Sequence, residues 1–194
     1  MVDKFLAYIR ERSEVDPGDF PRIQAMCQIK KIRKRQYLMH EGDVWKHVVF
    51  VTKGCLRTFS IDNEGGEHAI YFAIENWWTG DRQSFVTGLP TKFNIDALED
   101  SEVVLITKDN FEILCTELPP FNDMINDILH KSFISSQSRI HGYVCNNAQE
   151  KYREFMEKYP DMIVRIPQNM IASFLGIAPE TLSRIRRQLS KKLL

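Results

Sequence analysis

The sequence predicts an α+β protein: an antiparallel β-roll of jelly-roll type, then a long helix, then a C-terminal helix-turn-helix of winged-helix-like type. Three observations carry this prediction. Short runs of strand-forming residues separated by turn residues fill the stretch from about Ile29 to Thr107. No proline interrupts the 39 residues from Phe121 to Tyr159. After Ile163, two short helical patterns flank a glycine, Gly176.

The composition is that of an ordinary globular protein. The chain has 194 residues, of which 43% are hydrophobic and 27% are charged. Its longest apolar run, Ala69 to Ile74, is far shorter than the roughly 20 residues that cross a bilayer, so no membrane span is expected. The first twelve residues mix charged with apolar side chains, unlike a signal peptide, and a cytoplasmic location is therefore expected.

The cysteines and the charge distribution give two further expectations. The four cysteines stand too far apart for a CxxC metal site, so we expect four reduced, mostly buried thiols: Cys27, Cys55, Cys115 and Cys145. The net charge is zero, but Ile163 to Leu194 carries +5 and the remaining residues carry −5. This basic segment is typical of a polyanion-binding surface, most often for nucleic acid, although a merely solvated basic tail is an open alternative.

The N-terminal elements follow from the spacing of apolar residues. Two short helices are predicted within residues 2–27, with a turn at Asp16-Pro17-Gly18 between them. The stretch Leu56 to Phe72 reads as one long hairpin turning at Asp62–Gly66. Strands are predicted at Tyr37–Met39, Val48–Val51, Leu56–Ile61, Ala69–Ile74, Phe93–Leu98 and Val103–Ile106.

A short helix is predicted from Lys108 to Leu118, and a helix over most of Phe121 to Tyr159 would then be about 50 Å long. That length exceeds what one small domain needs, so the helix is predicted to pack beside its copy in a dimer. A helix lying on its own barrel is the alternative. The candidate interface residues are Ile125, Ile128, Leu129, Phe133, Ile140, Tyr143 and Val144.

The segment Ile166 to Leu189 has the residues that a helix-turn-helix needs. Pro167 can open the first helix, and Ala172 is small where two helices would cross. Gly176 allows the positive φ at the turn, and Pro179 suits the first turn of the second helix. Ala178 is a poor N-cap and is the one local defect.

The second helix is predicted to bury Leu182, Ile185 and Leu189 and to expose a polar, mostly basic face. Such a face suits a major groove: Arg184 can bond a guanine, and Glu180 can accept from a cytosine amino group. A helical hairpin with a solvated face is the alternative. The candidate DNA-binding residues are Gln168, Glu180, Thr181, Ser183, Arg184, Arg187 and Lys191, with Arg186 and Lys192 as further phosphate contacts.

The run Glu180-Thr181-Leu182-Ser183-Arg184 resembles the Glu-Thr-Val-x-Arg run in the recognition helix of the bacterial cyclic-AMP receptor protein/FNR (CRP/FNR) regulators. The order of parts resembles that family throughout. The resemblance implies a homodimeric transcription regulator that binds a two-fold symmetric operator in double-stranded DNA, with RNA polymerase as a further candidate partner. It divides the chain into a cyclic-nucleotide-binding-like sensor at 1–118, a dimerisation helix at 119–146 and a DNA-binding domain at 147–194.

Three departures from the family qualify this resemblance. Pro179 and Gln168 stand where the founding member has arginines, so we expect a different operator. The sequence reaches Leu194 about where many relatives begin a β-wing, so phosphate contacts from a wing are not expected.

The same resemblance bears on the ligand of the β-roll. Gly80-Asp81 resembles the Gly-Glu pair of cyclic-nucleotide-binding relatives, but Thr91 and Lys92 follow where those relatives carry the arginine that neutralises the phosphate. We therefore expect no response to cyclic nucleotide and no cofactor. The aromatic residues of this region have two interpretations: they line an apolar cavity for another effector, or they are ordinary core residues. The candidate residues of such a cavity are Phe72, Trp77, Trp78, Gly80, Asp81, Phe85 and Lys92.

Other chemistries find little support. Iron–sulfur binding needs clustered cysteines, which this sequence lacks. Any of the five histidines could ligate haem, but none is assigned that role and no metal is predicted. The HxH, GxSxG, P-loop and GxGxxG patterns are absent, so an enzyme is not expected. The alternative function is a ligand-binding β-roll module that acts mainly through protein–protein contacts.

Overall fold

The computed structural model describes residues 2–192, except for the side chains of Lys191 and Lys192. The chain folds into two compact units. The roll unit comprises the residues up to Ser60 together with Tyr71–His130. The helical unit comprises Ile61–Ile70 and the residues from Lys131 onward. The division into domains at 1–118, 119–146 and 147–194 stays a prediction.

The two predicted N-terminal helices are confirmed as α1 (Val2–Arg12) and α2 (Phe20–Ala25). A 3-10 turn at Pro17–Asp19 precedes α2, and the Asp16 carboxylate caps it by accepting a hydrogen bond from the Gly18 amide at 2.7 Å. In α1, Phe5, Tyr8 and Ile9 are buried. Their spacing of three and four residues gives α1 one apolar face, which anchors it on the sheet.

The described residues contain eight strands in two four-stranded sheets, ordered β1-β8-β3-β6 and β2-β7-β4-β5. The pairs β1–β8, β3–β8, β3–β6, β2–β7 and β4–β7 are antiparallel. This confirms the antiparallel β-roll. The strands are β1 (Cys27–Ile32), β2 (Tyr37–Met39), β3 (His47–Lys53), β4 (Leu56–Ile61), β5 (Glu67–Ala73), β6 (Trp78–Thr79), β7 (Asn94–Ala97) and β8 (Ser101–Thr107).

The predicted hairpin is the pair β4–β5. Its turn closes where the Asp62 amide donates to the Gly66 carbonyl at 3.0 Å. Hydrogen bonds to the Asp62 carboxylate, from His68 and from the amides of Gly66 and Glu64, hold the pKa of Asp62 below its ordinary value. The turn is therefore specified by its own side chains.

The core of the roll unit packs α1 against β3. The Phe50 ring lies 5.0 Å from Phe5 and 4.7 Å from Tyr8, centroid to centroid. At the β3–β4 corner, Gly54 has φ +101°, and a Cβ there would lie 2.6 Å from the Ser101 Cα. Only glycine fits this corner, where the chain approaches the start of β8.

Three elements of the roll unit were not predicted: β1, β6 and a six-residue helix, α3 (Arg82–Thr87). The strand β1 lies at a sheet edge beside β8, and its half-buried Lys30 and exposed Lys31 obscure the apolar pattern. The strand β6 has two residues, which is too short for any period to show. Local sequence patterns are weakest for such short or edge elements.

The remaining helices are α4 (Lys108–Glu117), α5 (Pro119–Cys145), α6 (Ala148–Lys158), α7 (Pro160–Ile163), α8 (Gln168–Leu175) and α9 (Pro179–Lys192). The short helix predicted at Lys108–Leu118 is confirmed as α4. The helix-turn-helix is confirmed as α8 and α9.

The prediction of a single helix over most of Phe121 to Tyr159 is wrong at residues 146–147. Asn147 caps a new helix by accepting from the amides of Gln149 and Glu150 at 3.0 and 3.1 Å. The Glu150 carboxylate accepts from the Asn147 amide at 2.8 Å, which completes a capping box. The 27-residue α5 is therefore about 40 Å long rather than about 50 Å.

All four cysteines are free, as expected. Cys55 is buried, Cys27 and Cys115 are half-buried, and burial raises the pKa of Cys27 to about 12. The expectation of mostly buried thiols is wrong for Cys145, which is exposed at the end of α5.

Candidate nucleic-acid interface

The two helices α8 and α9 meet around a tight glycine turn. Ile171 and Ala172 of α8 are fully buried, which lets the second helix approach closely. Gly176 has φ +64°, and the following Ile177 amide donates to the Ala172 carbonyl at 3.0 Å. The roles predicted for Ala172 and Gly176 are confirmed.

The helix α9 begins at Pro179 without a side-chain hydrogen bond from Ala178; its first backbone hydrogen bond runs from the Leu182 amide to the Ala178 carbonyl at 3.1 Å. Leu182 and Ile185 are buried and Leu189 is half-buried. These residues turn one side of α9 toward α6 and α8. The predicted apolar stripe is therefore confirmed.

The opposite side of α9 is exposed and polar. Glu180, Ser183, Arg184 and Arg187 are exposed and line one shallow depression together with Pro179. Two guanidinium groups and one carboxylate thus share a surface in the first half of the helix. Such a surface can offer donors and acceptors to base edges and cations to phosphates.

The remaining predicted DNA-binding residues do not line this depression. Thr181 is half-buried on its flank, and Arg186 is exposed farther round the helix. Gln168 is half-buried at the first position of α8. The side chains of Lys191 and Lys192 lie outside the described residues. The DNA contacts themselves stay predictions.

Sequence reasoning did not single out Ser173 or Arg139, which hold the hairpin of the helical unit. The Ser173 hydroxyl accepts from the Ala69 amide at 3.0 Å and donates to the Glu67 carbonyl at 3.2 Å. The Arg139 guanidinium donates to the Ile70 carbonyl. The paired residues are separated by 69 to 106 positions in the sequence. No local sequence pattern could therefore predict these contacts.

The aromatic rings predicted to line a ligand cavity pack in different places. The Trp78 ring lies 5.5 Å from Phe5, within the core beside α1. The Phe85 ring lies 5.8 Å from Phe111 at nearly a right angle. Trp77 is half-buried. These packing contacts match the alternative interpretation of the rings as core residues.

The polar members of the predicted cavity are also occupied or exposed. The buried Asp81 carboxylate caps α3, accepting a hydrogen bond from the Gln83 amide at 2.8 Å. Gly80 has φ +133°, Phe72 is buried, and Lys92 is exposed. Their assignment to a ligand site stays a prediction.

The first part of the predicted dimer interface is covered by the chain itself. Ile125 is 6% exposed and belongs to the core of the roll unit. Ile128 and Leu129 are half-buried against the same core. The assignment of Ile125 as an intersubunit contact is therefore corrected, because its side chain is already buried within its own unit.

The second part of the predicted interface is open. Phe133, Ile140 and Val144 of α5 are 62%, 61% and 80% exposed. Tyr143 differs from them because its hydroxyl donates to the Phe174 carbonyl of α8, so its ring lies against its own chain. The exposed apolar residues give α5 a face that the described residues of the helical unit leave uncovered.

Within residues 2–192, no group of three or more His, Cys, Asp or Glu side chains is arranged to hold a metal ion. Over the same residues, no helix combines the length and apolarity needed to cross a membrane.

His47 has a perturbed pKa. Burial, with a smaller contribution from the nearby Lys30 charge, lowers the pKa of His47.

Comparison with known proteins supports the family resemblance. Residues 29–117 match the cyclic nucleotide-binding domain family. The transcriptional activator Anr of Pseudomonas protegens is 22% identical over 80% of this chain and 68% of its own length. The fumarate and nitrate reduction regulatory protein of Yersinia pestis is 24% identical, covering 84% of this chain and 68% of its own.

The fold is also similar to that of solved structures. The structure of FixK2 from Bradyrhizobium japonicum superposes with a TM-score of 0.76 at 16% identity, covering 86% of this chain and 85% of its own. The matched relatives are transcription regulators rather than enzymes, in agreement with the sequence analysis. The chain therefore combines a segment that matches the cyclic nucleotide-binding domain family with a long helix and a C-terminal helix-turn-helix, and over most of its length it is similar to transcription regulators of the CRP/FNR type.

Proposed function

We propose that the protein is a homodimeric regulator that binds double-stranded DNA sequence-specifically through α9 and does not respond to cyclic nucleotide. One observation carries the proposal: the exposed face of α9 that bears Glu180, Arg184 and Arg187 lies opposite its buried stripe. A helix held on one side and polar on the other can enter a major groove without losing its packing.

The positions of the side chains along α9 suggest their roles. Glu180 and Arg184 lie one turn apart in the first half of the helix, the part that reaches base edges in helix-turn-helix proteins. Arg184 suits a bidentate contact to guanine, and Glu180 suits a cytosine amino group. Arg187 and Arg186 lie farther along, where phosphates would be met, with Gln168 at the start of α8 as a further phosphate contact.

The exposed face of α5 supports a dimer. Phe133, Ile140 and Val144 stand seven and four positions apart, and Ile134 beside them is 60% exposed. Apolar residues at such spacing form the contact line of paired helices. Two-fold pairing would set the two α9 helices on successive major grooves, about 34 Å apart.

The roll unit supports the absence of a cyclic nucleotide response. Asp81, at the position that resembles the ribose-binding glutamate, has its carboxylate engaged by the α3 amides. Thr91 is buried at the position of the phosphate-binding arginine, and the adjacent Lys92 is exposed. A buried phosphodiester would therefore lack its charge-assisted partner.

The experiment is selection of bound duplexes from a random pool, followed by affinity measurements over a range of salt concentrations. We expect enrichment of a sequence with two symmetric halves separated by one helical turn. Its affinity should fall steeply with salt because several phosphates are neutralised. Added cyclic AMP should leave the affinity unchanged.

Three results would contradict the proposal. Failure to bind any duplex at low salt would favour a β-roll module that acts through protein contacts. Enrichment of a single asymmetric site would contradict the symmetric dimer. A cyclic AMP-dependent rise in affinity would contradict the proposed absence of a nucleotide response.

A further inference from the structure

A cleft of about 390 Å³ opens in the helical unit among α5, α6 and the end of α8. Its volume lies in the range of small-molecule binding sites. Gly142 forms part of its wall on α5, and a Cβ there would lie 3.3 Å from a carboxylate oxygen of Glu154. The glycine therefore allows α5 and α6 to approach where the cleft begins.

Aromatic rings form the apolar surface of this cleft. The buried Phe155 lies 5.4 Å from the Tyr159 ring and 5.7 Å from the Phe174 ring, centroid to centroid. Tyr143 completes the set, and burial raises the pKa of its hydroxyl, which keeps it protonated. Flat aromatic surfaces of this kind bind planar ligands by offset or edge contacts.

Three cations line the same cleft, each placed over one of these rings. The guanidinium carbon of Arg139 lies 5.1 Å from the centroid of Phe174. The ammonium of Lys151 lies 5.3 Å from that of Tyr143. A third ammonium, on Lys158, lies 5.4 Å from the Tyr159 ring and donates to the Ser135 hydroxyl at 2.7 Å.

Two carboxylates share the lining, so the cleft carries a net positive charge of one. Glu154 accepts a hydrogen bond from the Asn146 amide group at 2.6 Å, toward the α5–α6 junction. Glu157 is exposed on α6. The rings alone would accept a neutral aromatic molecule, but the three cations favour a negatively charged one.

We propose that this cleft binds a small aromatic carboxylate, with its ring against Phe155 and Phe174 and its carboxylate at Arg139 and Lys151. A guanidinium matches a carboxylate with two parallel hydrogen bonds. Because Phe174 and Leu175 end the helix before the Gly176 turn, the ligand would contact the helix that supports α9. The inference concerns binding alone and does not depend on the chain binding DNA.

The test uses salicylate as the probe and salicylamide, which has the same ring without the carboxylate charge, as the matched control. Titration of the full chain is followed by amide chemical shifts. Salicylate should shift residues of α5, α6 and α8 and bind at least about tenfold more tightly than salicylamide, as expected for a charged hydrogen bond.

Substitutions then locate the anion. Arg139→Met and Lys151→Met should each weaken salicylate binding about tenfold or more and leave salicylamide binding unchanged. Lys131→Met, which removes an exposed lysine of α5 outside the cleft lining, should change neither. If Arg139→Met disturbs the fold, Lys158→Met, at an exposed position, supplies a second substitution in the cleft, with the same direction expected.

The inference is overturned by equal affinity for the two probes, by shifts confined to the roll unit, or by the absence of salicylate binding at millimolar concentration. It is also overturned if Lys131→Met weakens binding as much as the cleft substitutions. None of these measurements contains DNA, so their failure is distinct from failure of the proposed function.

Discussion

The Arg57 guanidinium and the Asp96 carboxylate form a two-point ion pair across strands β4 and β7. The Arg57 Nε lies 3.0 Å from the Asp96 Oδ1, and Nη2 lies 2.8 Å from Oδ2. Both residues are buried, and the guanidinium also lies 3.9 Å from the centroid of the Phe59 ring. Each charge of this pair depends on the other, because burial leaves little of either side chain in contact with water.

Substitution of one partner should therefore destabilise the roll unit strongly. Arg57→Met leaves an uncompensated buried carboxylate and should lower the free energy of unfolding by about 3–5 kcal/mol. The double variant Arg57→Met/Asp96→Leu should recover most of this loss. Urea unfolding followed by tryptophan fluorescence measures the change, since Trp45, Trp77 and Trp78 all lie in the roll unit. Equal destabilisation in the single and double variants would show that the charge is not the cause.

The exposed face of α5 leads to a prediction about oligomeric state. Ile140→Asp or Val144→Asp places a carboxylate on that face and should convert the proposed dimer to monomer, because burial of an unpaired charge opposes association. Sedimentation velocity measures the outcome. Ser138→Asp, on the opposite side of the same helix, should remain dimeric. An unchanged dimer in both apolar-to-Asp variants would remove this face from the interface.

The capping box between α5 and α6 should contribute measurably to stability. Asn147→Ala removes a side chain that accepts two amide hydrogen bonds, so the free energy of unfolding should fall by about 0.5–2 kcal/mol. Thermal unfolding followed by far-ultraviolet circular dichroism gives the change. Gln149→Ala, two positions later, keeps the backbone amide that donates to Asn147 and should stay within about 0.5 kcal/mol of the parent. Similar losses in the two variants would argue against the cap.

His47 should make stability fall on acidification. Burial and the Lys30 charge lower the pKa of His47 in the folded protein. The unfolded chain therefore binds the proton more readily, and stability present above pH of about 6.5 is lost as the pH falls below it. The measurement is the unfolding midpoint as a function of pH below about 6.5. His47→Gln should reduce the slope of that dependence. The control His141→Gln, at an exposed position, should leave the slope unchanged. An unaltered slope in His47→Gln would contradict this assignment.

Elements whose determining residues lie close together in the sequence could be predicted from it. The helix-turn-helix is specified by Gly176, by Pro179 and by the spacing of Leu182 and Ile185. The hairpin turn is specified by Asp62, whose side chain accepts hydrogen bonds from its own loop. In both cases the determining contacts join residues within a few positions of one another.

Other features depend on distant contacts and could not be read locally. Ile125 and Ile140 look alike in sequence, yet one is buried in the roll unit and the other is 61% exposed. The cleft that includes Arg139 and Phe174 exists only once three helices pack. The break between α5 and α6 has a local signal, because Asn147 and Glu150 have the spacing of a capping box. The helical periodicity on both sides of it favoured a single helix instead.

The contribution of Arg184 to base recognition decides whether α9 reads DNA. Fluorescence anisotropy compares the parent, Arg184→Ala and Arg186→Ala on the selected duplex and on versions changed at single base pairs. Arg184→Ala should weaken binding by about 1–3 kcal/mol and lose discrimination at one base pair of each half-site, whereas Arg186→Ala should weaken all duplexes alike. If Arg184→Ala weakens every duplex equally, or if the parent binds none at low salt, α9 does not read DNA as proposed.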